Sequence, residues 1–448
     1  MKKAVLGVMT MILFTRLTLG TSPSEYDRYW PQWRGPKATG VAPWGNPPVH
    51  WDENTNIRWK IPIPGRGQST PVVWGNQIFV TTAIETDISA DDRTVKKADE
   101  AIPDWMRREG VRPPMKVHKF VILAIHRHDG QILWQRTLHQ AQPHEATHKD
   151  GSWASGSPVT DGEHVFAYFG SFGLYCLDMQ GNVIWGKDMG DMRTRNSFGE
   201  GNSPILHGDK IIVNWDHEGD SFIIALNKET GREIWKTDRD EITSWSTPII
   251  AATGGRKQVI VNATKRIRGY DLDTGNLIWE SEGMTSNVIP SPVHGNGMVY
   301  VMSGFRGSAL QAIRLDKAQG DITGTDAVAW TLDKNTPYTP SPLLYDDYLY
   351  FFRINKEILS CYNAITGELY YGPERLEGIK GVYASPVGVD GRVYIVGRNG
   401  VSCVIKHGPT FEFLSQNTLD DGFDASPVIV GDELYLRGRT HLYCIARD

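Results

Sequence analysis

The stretch DLDTGNLIW, Asp271 to Trp279, decides the fold, and the stretch NKETGREIW, Asn227 to Trp235, repeats its pattern. In both, a polar turn ending in Thr-Gly separates two short apolar segments, and the second segment closes on a tryptophan. Short apolar segments joined by glycine-containing turns predict antiparallel strands. Because the unit recurs at a fixed spacing, the sequence also predicts a repeat architecture.

Each repeat begins with a Ser-Pro or Thr-Pro step followed by aliphatic residues. The eight steps are Thr70-Pro71, Ser157-Pro158, Ser203-Pro204, Thr247-Pro248, Ser291-Pro292, Ser341-Pro342, Ser385-Pro386 and Ser426-Pro427. Successive prolines lie 41 to 50 residues apart, except for a first interval of 87 that contains an insertion. Each unit predicts four short strands, which is the pattern of a propeller blade. The sequence therefore predicts an all-β fold, an eight-bladed β-propeller of four-stranded antiparallel blades.

Two further positions recur in every unit. The third strand carries a small residue, in chain order Ala124, Cys176, Ala225, Gly269, Ala312, Cys361, Cys403 and Cys444. The fourth strand carries a large ring, in order Trp134, Trp185, Trp235, Trp279, Trp330, Tyr371 and then Phe411 or Phe413. Because the four cysteines fall in four different blades, we expect buried free thiols rather than disulfides. We expect the rings to pack between blades.

The last unit ends at LYCIARD, one strand short of a complete blade. The segment NIRWKIPI, Asn56 to Ile63, supplies a strand with its own Trp59. We predict that this N-terminal strand pairs with the last blade and closes the ring, since closure removes an open sheet edge. The expected organisation is a signal peptide at 1–20, a lead-in at 21–56 and the propeller at 57–448.

The repeat phrases quoted above resemble the pyrroloquinoline-quinone (PQQ) repeat. The lead-in WPQWRGPKATGVAP, residues 30–43, is similar to that of exported bacterial PQQ-like propellers. The resemblance runs from Trp30 to the C-terminus and implies the propeller fold. It leaves the function open, because quinoprotein dehydrogenases share the blade motif with noncatalytic scaffolds such as the outer-membrane assembly protein BamB.

A PQQ-dependent dehydrogenase resembling that family would add an adjacent cysteine pair over the quinone and acidic and amide ligands for calcium. The nearest cysteines here, Cys361 and Cys403, are far apart, and no C-x-x-C-H motif for an attached haem is present. Glu200, Asn202 and Asp216 are the candidate calcium ligands, and a solvated loop explains them equally well. No cofactor is predicted, and PQQ with calcium stays an alternative.

The charge and the N-terminus bear on partners and location. A formal net charge of −5 gives no global basic field, which argues against a nucleic-acid binder. Lys2 and Lys3 precede a short apolar run and the small-residue site Thr18-Leu19-Gly20, as in a secretory signal peptide. We expect a periplasmic or secreted monomer with no transmembrane segment once the signal is removed.

Antiparallel order places the loop entering each blade and the turn between its second and third strands at one end of the ring, here called the funnel face. The other end, with the Gly/Asp and Thr-Gly turns, is called the turn face. The funnel face is the predicted ligand surface because its loops vary most. Its candidate residues are Arg66, Gln68, His148, Trp153, Arg195, Asn196, Trp245, Arg268, Arg306, Tyr338, Arg353, Tyr383, Arg398, Asp424 and Arg439. The arginines predict either a basic crescent for carboxylates or sulfates, or solvated turn charges.

The insertion in blade one spans residues 85–119 and also falls on the funnel face. It predicts a charged, mobile stretch, ETDISADDRTVKKADE, followed by a short helix in IPDWMRREG. Two interpretations stay open for it, a lid over the ligand surface and a disordered surface insertion.

The segment His144-Glu145-Ala146-Thr147-His148 fits the H-E-x-x-H pattern of zinc metalloproteases. The zinc geometry needs a helix, and this segment follows Pro143 without an amphipathic stripe and with Gly151 close behind. We therefore predict a loop between blades one and two, and no metal site. His148 and Trp153 keep their place as binding candidates.

Three functions remain in competition at this point. The first is an exported noncatalytic propeller that binds a protein partner or an anionic polymer on its Arg- and aromatic-lined face. The second is a polysaccharide lyase or hydrolase acting on an acidic polysaccharide, with His148, Tyr338 or Tyr383 moving protons. The third is the PQQ-dependent dehydrogenase. No catalytic residue is assigned.

Overall fold

The computed structural model describes residues 24–447, and its strands form eight sheets, antiparallel except for one short added strand. The predicted signal peptide at 1–20 lies outside the described residues. The N-terminal strand is β1 (Ile57–Pro62). Blade one consists of β2 (Val72–Trp74), β3 (Gln77–Ser89), β4 (Lys116–His126) and β5 (Ile132–Ala141), and blade two of β6 (Val159–Thr160), β7 (His164–Tyr168), β8 (Leu174–Asp178) and β9 (Val183–Lys187). Blade three consists of β10 (Ile205–His207), β11 (Lys210–Trp215), β12 (Ser221–Asn227) and β13 (Glu233–Arg239), and blade four of β14 (Ile249–Thr253), β15 (Arg256–Val261), β16 (Arg266–Asp271) and β17 (Leu277–Glu282).

The second half of the ring repeats this order. Blade five consists of β18 (Val293–Gly295), β19 (Met298–Ser303), β20 (Ala309–Arg314) and β22 (Val328–Leu332), and the loop after β20 contains β21 (Gly320–Asp321). Blade six consists of β23 (Leu343–Tyr345), β24 (Tyr348–Phe352), β25 (Ile358–Asn363) and β26 (Leu369–Arg375), and blade seven of β27 (Val387–Val389), β28 (Arg392–Val396), β29 (Val401–Lys406) and β30 (Phe413–Thr418). Blade eight consists of β31 (Val428–Val430), β32 (Glu433–Arg437), β33 (His441–Ile445) and β1. The strand β21 adds in parallel to the edge of blade four. The prediction of an eight-bladed all-β propeller is confirmed.

The N-terminal strand closes the ring as predicted. β1 pairs antiparallel with β33, with Lys60 opposite Tyr443 and Pro62 opposite His441. The indole of Trp59 donates to the carbonyl oxygen of Arg127 in blade one at 3.0 Å, which ties the last blade to the first. The first and last strands of the described propeller are therefore joined in one sheet.

A closed belt of hydrogen bonds runs around the ring through the eight Ser/Thr-Pro steps. The backbone N–H of each Ser or Thr donates to the hydroxyl oxygen of its counterpart in the next blade, and the last donates back to Thr70. In ring order the bonds are Thr70 to Ser157, 2.9 Å; Ser157 to Ser203, 2.9 Å; Ser203 to Thr247, 3.0 Å; Thr247 to Ser291, 3.2 Å; Ser291 to Ser341, 2.9 Å; Ser341 to Ser385, 2.9 Å; Ser385 to Ser426, 2.9 Å; and Ser426 to Thr70, 3.3 Å. Each hydroxyl satisfies a buried N–H, and this is why the position before the proline needs an oxygen.

The small residue of the third strand and the large ring of the fourth strand are cross-strand partners. Cys176 lies opposite Trp185, Ala225 opposite Trp235 and Cys444 opposite Trp59. The side chain at this position of the third strand is small because the ring on the neighbouring strand lies over it. All four cysteines are buried and unpaired, as predicted, and burial raises the pKa of each thiol to about 12.

The rings also join neighbouring blades. The indole N–H groups of Trp134, Trp185, Trp235 and Trp330 each donate to a carbonyl oxygen of the next blade at 2.8 to 3.1 Å. A turn glycine with positive φ lies against each of these rings, for example Gly275, where an added Cβ would come 2.5 Å from Trp235. Packing between blades is thus confirmed for these tryptophans.

Two blades depart from that arrangement. Trp279 in blade four donates to Gln258 of its own blade at 2.6 Å, beside the extra strand β21. In blade seven Gln416 stands opposite Cys403, and Phe413 is exposed. No aromatic ring therefore lies opposite Cys403 on the fourth strand of blade seven. Phe411 instead packs on Tyr371 of blade six, with centroids 5.7 Å apart.

The lead-in enters the axial channel from the turn face, after a short 3₁₀ helix (Tyr26–Arg28). Trp30 pairs with Val73 in the innermost strand of blade one, and both are buried. Further along, Val41 pairs with Gly388 in blade seven. The lead-in thus packs against inner strands on opposite sides of the ring and fills part of the channel.

The insertion is more regular than predicted. The strands β3 and β4 extend into it, and it carries two helices, α1 (Asp92–Ala101) and α2 (Asp104–Arg108). The predicted charged stretch is divided between the end of β3 and α1. The Asp91 side chain caps α1 by accepting from the Thr94 N–H at 2.9 Å, which stabilises its first turn. The predicted helix in IPDWMRREG is present as α2.

Candidate functional site

The loops of the funnel face surround a cavity of about 670 Å³ at the mouth of the axial channel. This volume lies in the range of small-ligand sites. Its lining residues are Gln68, Trp105, Glu109, His148, Asp150, Gly151, Ser152, Ser155, Arg195, Asn196, Phe198, Gly199, Glu200, Gly201, Trp245, Asn287, Ile289, Phe305, Arg306, Tyr338, Thr339 and Tyr383. We call it the funnel cavity.

Eight of the fifteen candidates from the sequence line the funnel cavity. They are Gln68, His148, Arg195, Asn196, Trp245, Arg306, Tyr338 and Tyr383. The other seven lie beside it or away from it, namely Arg66, Trp153, Arg268, Arg353, Arg398, Asp424 and Arg439. The periodicity locates the loops correctly but cannot tell which side chains turn inward.

Aromatic rings form two walls of the cavity. Phe198 lies between Trp105 and Trp245, with centroid distances of 5.9 and 6.0 Å. The indole of Trp245 donates to the Gly199 carbonyl at 2.7 Å, which fixes its orientation. On the other wall Phe305 stacks on Tyr338 at 4.7 Å. Flat rings at such spacings offer stacking surfaces to planar or sugar-like ligands.

Two arginines in the cavity lack a carboxylate partner. Within residues 24–447, no Asp or Glu oxygen lies within 4.0 Å of the guanidinium of Arg195 or of Arg306. Arg306 is exposed and stands over the Phe305 ring at 5.5 Å. Both cations therefore keep their charge available to a ligand.

Three of the five remaining candidate arginines, Arg268, Arg398 and Arg439, are neutralised by carboxylates. Arg398 pairs with Asp150 at 2.8 Å and with Asp424 at 2.6 Å, and Arg439 pairs with Asp424 at 3.0 Å. Arg268 pairs with Asp240 at 2.6 Å and with Glu280 at 3.0 Å, and Arg66 donates to the Lys149 carbonyl. Arg353 is exposed. The crescent is thus a set of ion pairs around a smaller group of free cations.

The loop between blades one and two reaches across to blade seven through Asp150. Its carboxylate accepts from the Tyr383 hydroxyl at 3.1 Å and pairs with Arg398, whose guanidinium lies 3.9 Å from the Tyr383 ring. Burial alone would raise the pKa of Asp150, but the hydrogen bond and charge of Arg398 lower it below its ordinary value. Burial and the nearby Asp150 charge raise the pKa of Tyr383 to about 12. Tyr383 is therefore a protonated phenol at neutral pH.

His148 lines the funnel cavity as a neutral imidazole. Burial lowers its pKa below 6.5, with the Asp150 charge opposing that effect. Its Nδ1 accepts from the Asp150 N–H at 3.2 Å, and its ring meets Phe198 edge-on at 5.4 Å. The other ring nitrogen then carries the proton and can donate to a ligand.

The H-E-x-x-H segment is a loop, as predicted. His144 and Glu145 form a bend, and no helix aligns the two imidazoles. His144 Nε2 lies 2.8 Å from the Met192 carbonyl, whereas His148 belongs to the funnel cavity. Glu145 accepts from the backbone and hydroxyl of Thr194. The segment shapes the cavity wall and lacks the zinc-site geometry.

The insertion supplies residues that sequence reasoning missed. Trp105 and Glu109 of the α2 region line the cavity. Below them Met106 is fully buried in a small cluster with Ile102, Val111 and Ala146. A large exposed aromatic inside a charged insertion is the signal that could have identified Trp105, since such residues mark binding surfaces.

The candidate calcium ligands do not fit a calcium-bound quinone. Asp216 gives its carboxylate to Arg239, at 2.7 and 3.1 Å, and to Ser244 at 2.8 Å. Asn202 donates to the Asn214 carbonyl. Glu200 accepts from Ser171 N and Oγ, and burial raises its pKa to about 7. The donors are committed to separate partners, and no vicinal cysteine pair is available.

Membrane association through a spanning helix has no support in residues 24–447, where no helix has the length and apolar character to cross a bilayer.

Two solved structures share the fold. BamB from Moraxella catarrhalis is 14% identical, with a TM-score of 0.56, covering 86% of this chain and 95% of that chain. The quinohemoprotein alcohol dehydrogenase ADHIIG from Pseudomonas putida HK5 is 10% identical, with a TM-score of 0.55, covering 94% of this chain and 80% of that chain. No curated protein matches the sequence. At these identities the likeness shows the fold, which is common to a protein-binding propeller and to a PQQ dehydrogenase.

The family comparison covers more of the sequence itself. The model described as "Outer membrane protein assembly factor BamB" matches residues 118–368 and 220–448. These two matches overlap and extend over well more than half of the chain, and they include the repeat phrases quoted at the outset. The protein therefore belongs to the BamB family of PQQ-like β-propellers.

Proposed function

We propose that this protein is an exported noncatalytic propeller that binds an acidic polysaccharide in the funnel cavity. The observation that carries the proposal is the pair of carboxylate-free arginines, Arg195 and Arg306, inside one cavity walled by aromatic rings. We further propose a periplasmic or secreted monomer, in keeping with the outer-membrane name of its family.

The chemistry of the cavity suits a polymer of uronate or sulfated sugars. Sugar faces stack on rings such as Trp245 and Tyr338, and each free guanidinium forms charge-assisted hydrogen bonds with a carboxylate or sulfate. Such a bond contributes about 1.5–3 kcal/mol. Neutral hydrogen-bonding groups, among them Gln68 and Asn287, supply further contacts to sugar hydroxyls.

The raised pKa values of the two phenols support a noncatalytic role. The Tyr383 phenol keeps its proton at neutral pH and donates it to Asp150, so it is not poised as a base. Burial also raises the pKa of Tyr338. His148 is the group best placed for proton transfer, and it makes lyase activity the outcome to monitor.

A second candidate is a protein partner, favoured by membership of a family described as an assembly factor. A peptide with acidic side chains would use the same free arginines. The polysaccharide is preferred because the cavity is a defined pocket of small-ligand size, whereas protein interfaces are usually flatter and larger.

The test is a titration with polyuronate oligosaccharides, with neutral dextran oligosaccharides as the comparison, followed by calorimetry. The double variant Arg195→Ala/Arg306→Ala should bind at least about tenfold more weakly, since about 1.4 kcal/mol already corresponds to tenfold. The matched control Arg232→Ala/Arg256→Ala removes two exposed arginines from the turn face and should leave the affinity unchanged.

Equal polyuronate affinity in the two double variants would overturn the proposal. Rising absorbance of unsaturated uronate during incubation, lost in His148→Ala, would replace it with the lyase. Absence of glycan binding together with a crosslinked partner that depends on Arg195 and Arg306 would replace it with the protein-binding function.

A further inference from the structure

A second cavity, of about 520 Å³, lies on the turn face, at the other end of the axial channel from the funnel cavity. Its walls are the lead-in on one side and the inner strands and turns of blades two to five on the other. The lining residues are Tyr26, Gln32, Trp33, Arg34, Pro36, Lys37, Ala38, Asp161, Ile205, Leu206, His207, Gly208, Thr247, Pro248, Ile249, Ile250, Ala252, Lys257, Ser291 and His294. We call it the lead-in cavity.

The lead-in makes this cavity by fixing two of its own side chains in the channel. The indole of Trp33 donates to the Ser291 hydroxyl at 3.1 Å. The guanidinium of Arg34 donates to the carbonyl oxygens of Pro386 and Pro342, both at 2.7 Å. The lead-in is thus held against blades five, six and seven, and the space beside it toward blades three and four stays open.

Arg34 brings a buried charge that no carboxylate balances. It is 1% exposed, and among residues 24–447 no Asp or Glu oxygen lies within 4.0 Å of it. Its Nε is buried without an acceptor. Burial lowers its pKa to about 9, so it is still charged at neutral pH. A buried cation whose hydrogen-bond acceptors are all neutral carbonyls is costly, and a bound anion reduces that cost.

The rest of the lining adds positive charge at the rim and apolar surface within. Lys37 and Lys257 are exposed at the rim. Asp161 is the one acid among the lining residues, and it already pairs with Lys228 at 2.7 Å. Trp33, the aliphatic residues of blades three and four and two prolines form the apolar part of the wall. An apolar cavity with a cationic rim fits an anion that carries an apolar body.

We propose that the lead-in cavity is a second binding site, specific for a small monocarboxylate with an apolar chain or ring. The carboxylate lies at the Arg34 and lysine end, and the apolar body lies along the Trp33 wall. The site is independent of the funnel cavity, because the two share no lining residue.

The probes are decanoate, 1-naphthoate and the uncharged analogue decanol, measured by calorimetry on the intact protein. We expect both carboxylates to bind and decanol to bind at least about tenfold more weakly. Tighter binding of decanoate would identify the apolar part of the ligand as a chain, and tighter binding of 1-naphthoate would identify it as a ring. Equal binding of decanoate and decanol would contradict the proposed role of charge.

Two variants locate the binding. Lys37→Glu/Lys257→Glu reverses the rim charge and should weaken carboxylate binding at least about tenfold, whereas Lys97→Glu/Lys334→Glu makes the same charge change at exposed sites elsewhere. Ala252→Trp fills the mouth without changing charge and should also abolish binding. Melting curves confirm folding of each variant. Full binding in both cavity variants, or loss in Arg195→Ala/Arg306→Ala instead, would overturn the site.

Discussion

At the scale of single residues, one hydroxyl in each blade accepts a hydrogen bond from the neighbouring blade and links the two blades near the axis of the ring. Ser341 is a representative member, 2% exposed, with its oxygen 2.9 Å from the Ser291 N–H. Proline has no N–H to donate. The Ser or Thr before it therefore supplies both the N–H that donates to the next blade and the hydroxyl oxygen that accepts from the preceding blade. The belt therefore links blades without adding any strand.

The variant Ser341→Ala should lower the free energy of unfolding by about 1–3 kcal/mol, because it leaves the buried Ser291 N–H without an acceptor. Denaturant unfolding measures the change. Ser89→Ala removes the same atom from an exposed strand end and should change the stability by less than about 0.5 kcal/mol. Equal effects of the two variants would show that the belt contributes no stability.

A partly buried acid in the lining of the funnel cavity makes stability depend on pH. Burial raises the pKa of Glu200 from 4.5 to about 7. The folded state then binds a proton more tightly than the unfolded state, so the stabilisation is present below about pH 4.5 and is lost as the pH rises to about 7. Glu145 nearby also has a raised pKa because of burial, so the two titrate together.

The variant Glu200→Gln should reduce the fall in unfolding free energy between about pH 4.5 and pH 7, because the amide keeps an acceptor for Ser171 without titrating. Parallel denaturant titrations at several pH values test this. An identical pH slope in the wild type and the variant would assign the dependence to other groups.

At the scale of elements, the insertion is a docked arm. Its helices lie against the loop after blade one through Met106 and Ala146, and the Lys149–Glu109 ion pair at 2.8 Å adds a partly exposed contact. A small satellite cluster is the part of a structure that opens before the rest. The arm thus has the placement of a lid, because Trp105 reaches the funnel cavity.

The variant Met106→Ala should release the arm while leaving the blades folded, since it removes a fully buried side chain from that cluster alone. Limited proteolysis should cut residues 90–115 faster, with the melting temperature of the propeller almost unchanged. Met115→Ala, at an exposed methionine in the same insertion, is the control and should leave the cleavage rate unaltered.

At the scale of the whole molecule, the ring is closed by the pairing of β1 with β33. β1 covers the edge of β33, and Trp59 packs on Tyr435 with centroids 6.0 Å apart. Without β1, the last blade presents an open edge to solvent and loses its contact with blade one.

Deletion of residues 57–63 should abolish cooperative unfolding, because it removes the closing strand and its tryptophan. Thermal unfolding followed by near-UV circular dichroism measures the loss. Deletion of residues 24–28, which are exposed or half-buried, should keep a single transition. A normal transition in the 57–63 deletion would contradict the closure as the source of cooperativity.

The fold was predictable because each blade repeats a local pattern. The spacing of Ser/Thr-Pro steps, the small third strand and the tryptophan of the fourth strand all constrain the same four strands. Gln416 in blade seven escaped prediction because a polar side chain there breaks the pattern without breaking the sheet. The helix α1 escaped because its cap, Asp91, reads as one more charge in a charged stretch.

The site was less predictable, because its geometry depends on contacts between distant loops. Arg398 and Arg306 occupy equivalent turns, yet Asp150 neutralises the first and leaves the second free. That difference is set by a loop from across the ring, which no local pattern encodes. Arg34 was missed for the same reason, since its carbonyl partners are supplied by two different blades.

The pairing of β1 with β33 fixes an order of events during synthesis. Because β1 precedes its partner β33 by almost 380 residues, it stays unpaired and the ring stays open until residue 445 has left the ribosome. The Ser426 to Thr70 bond of the belt can form only at that same moment. Before that moment β1 and the last blade each present an unpaired edge, and unpaired strand edges are the surfaces through which partly folded chains associate.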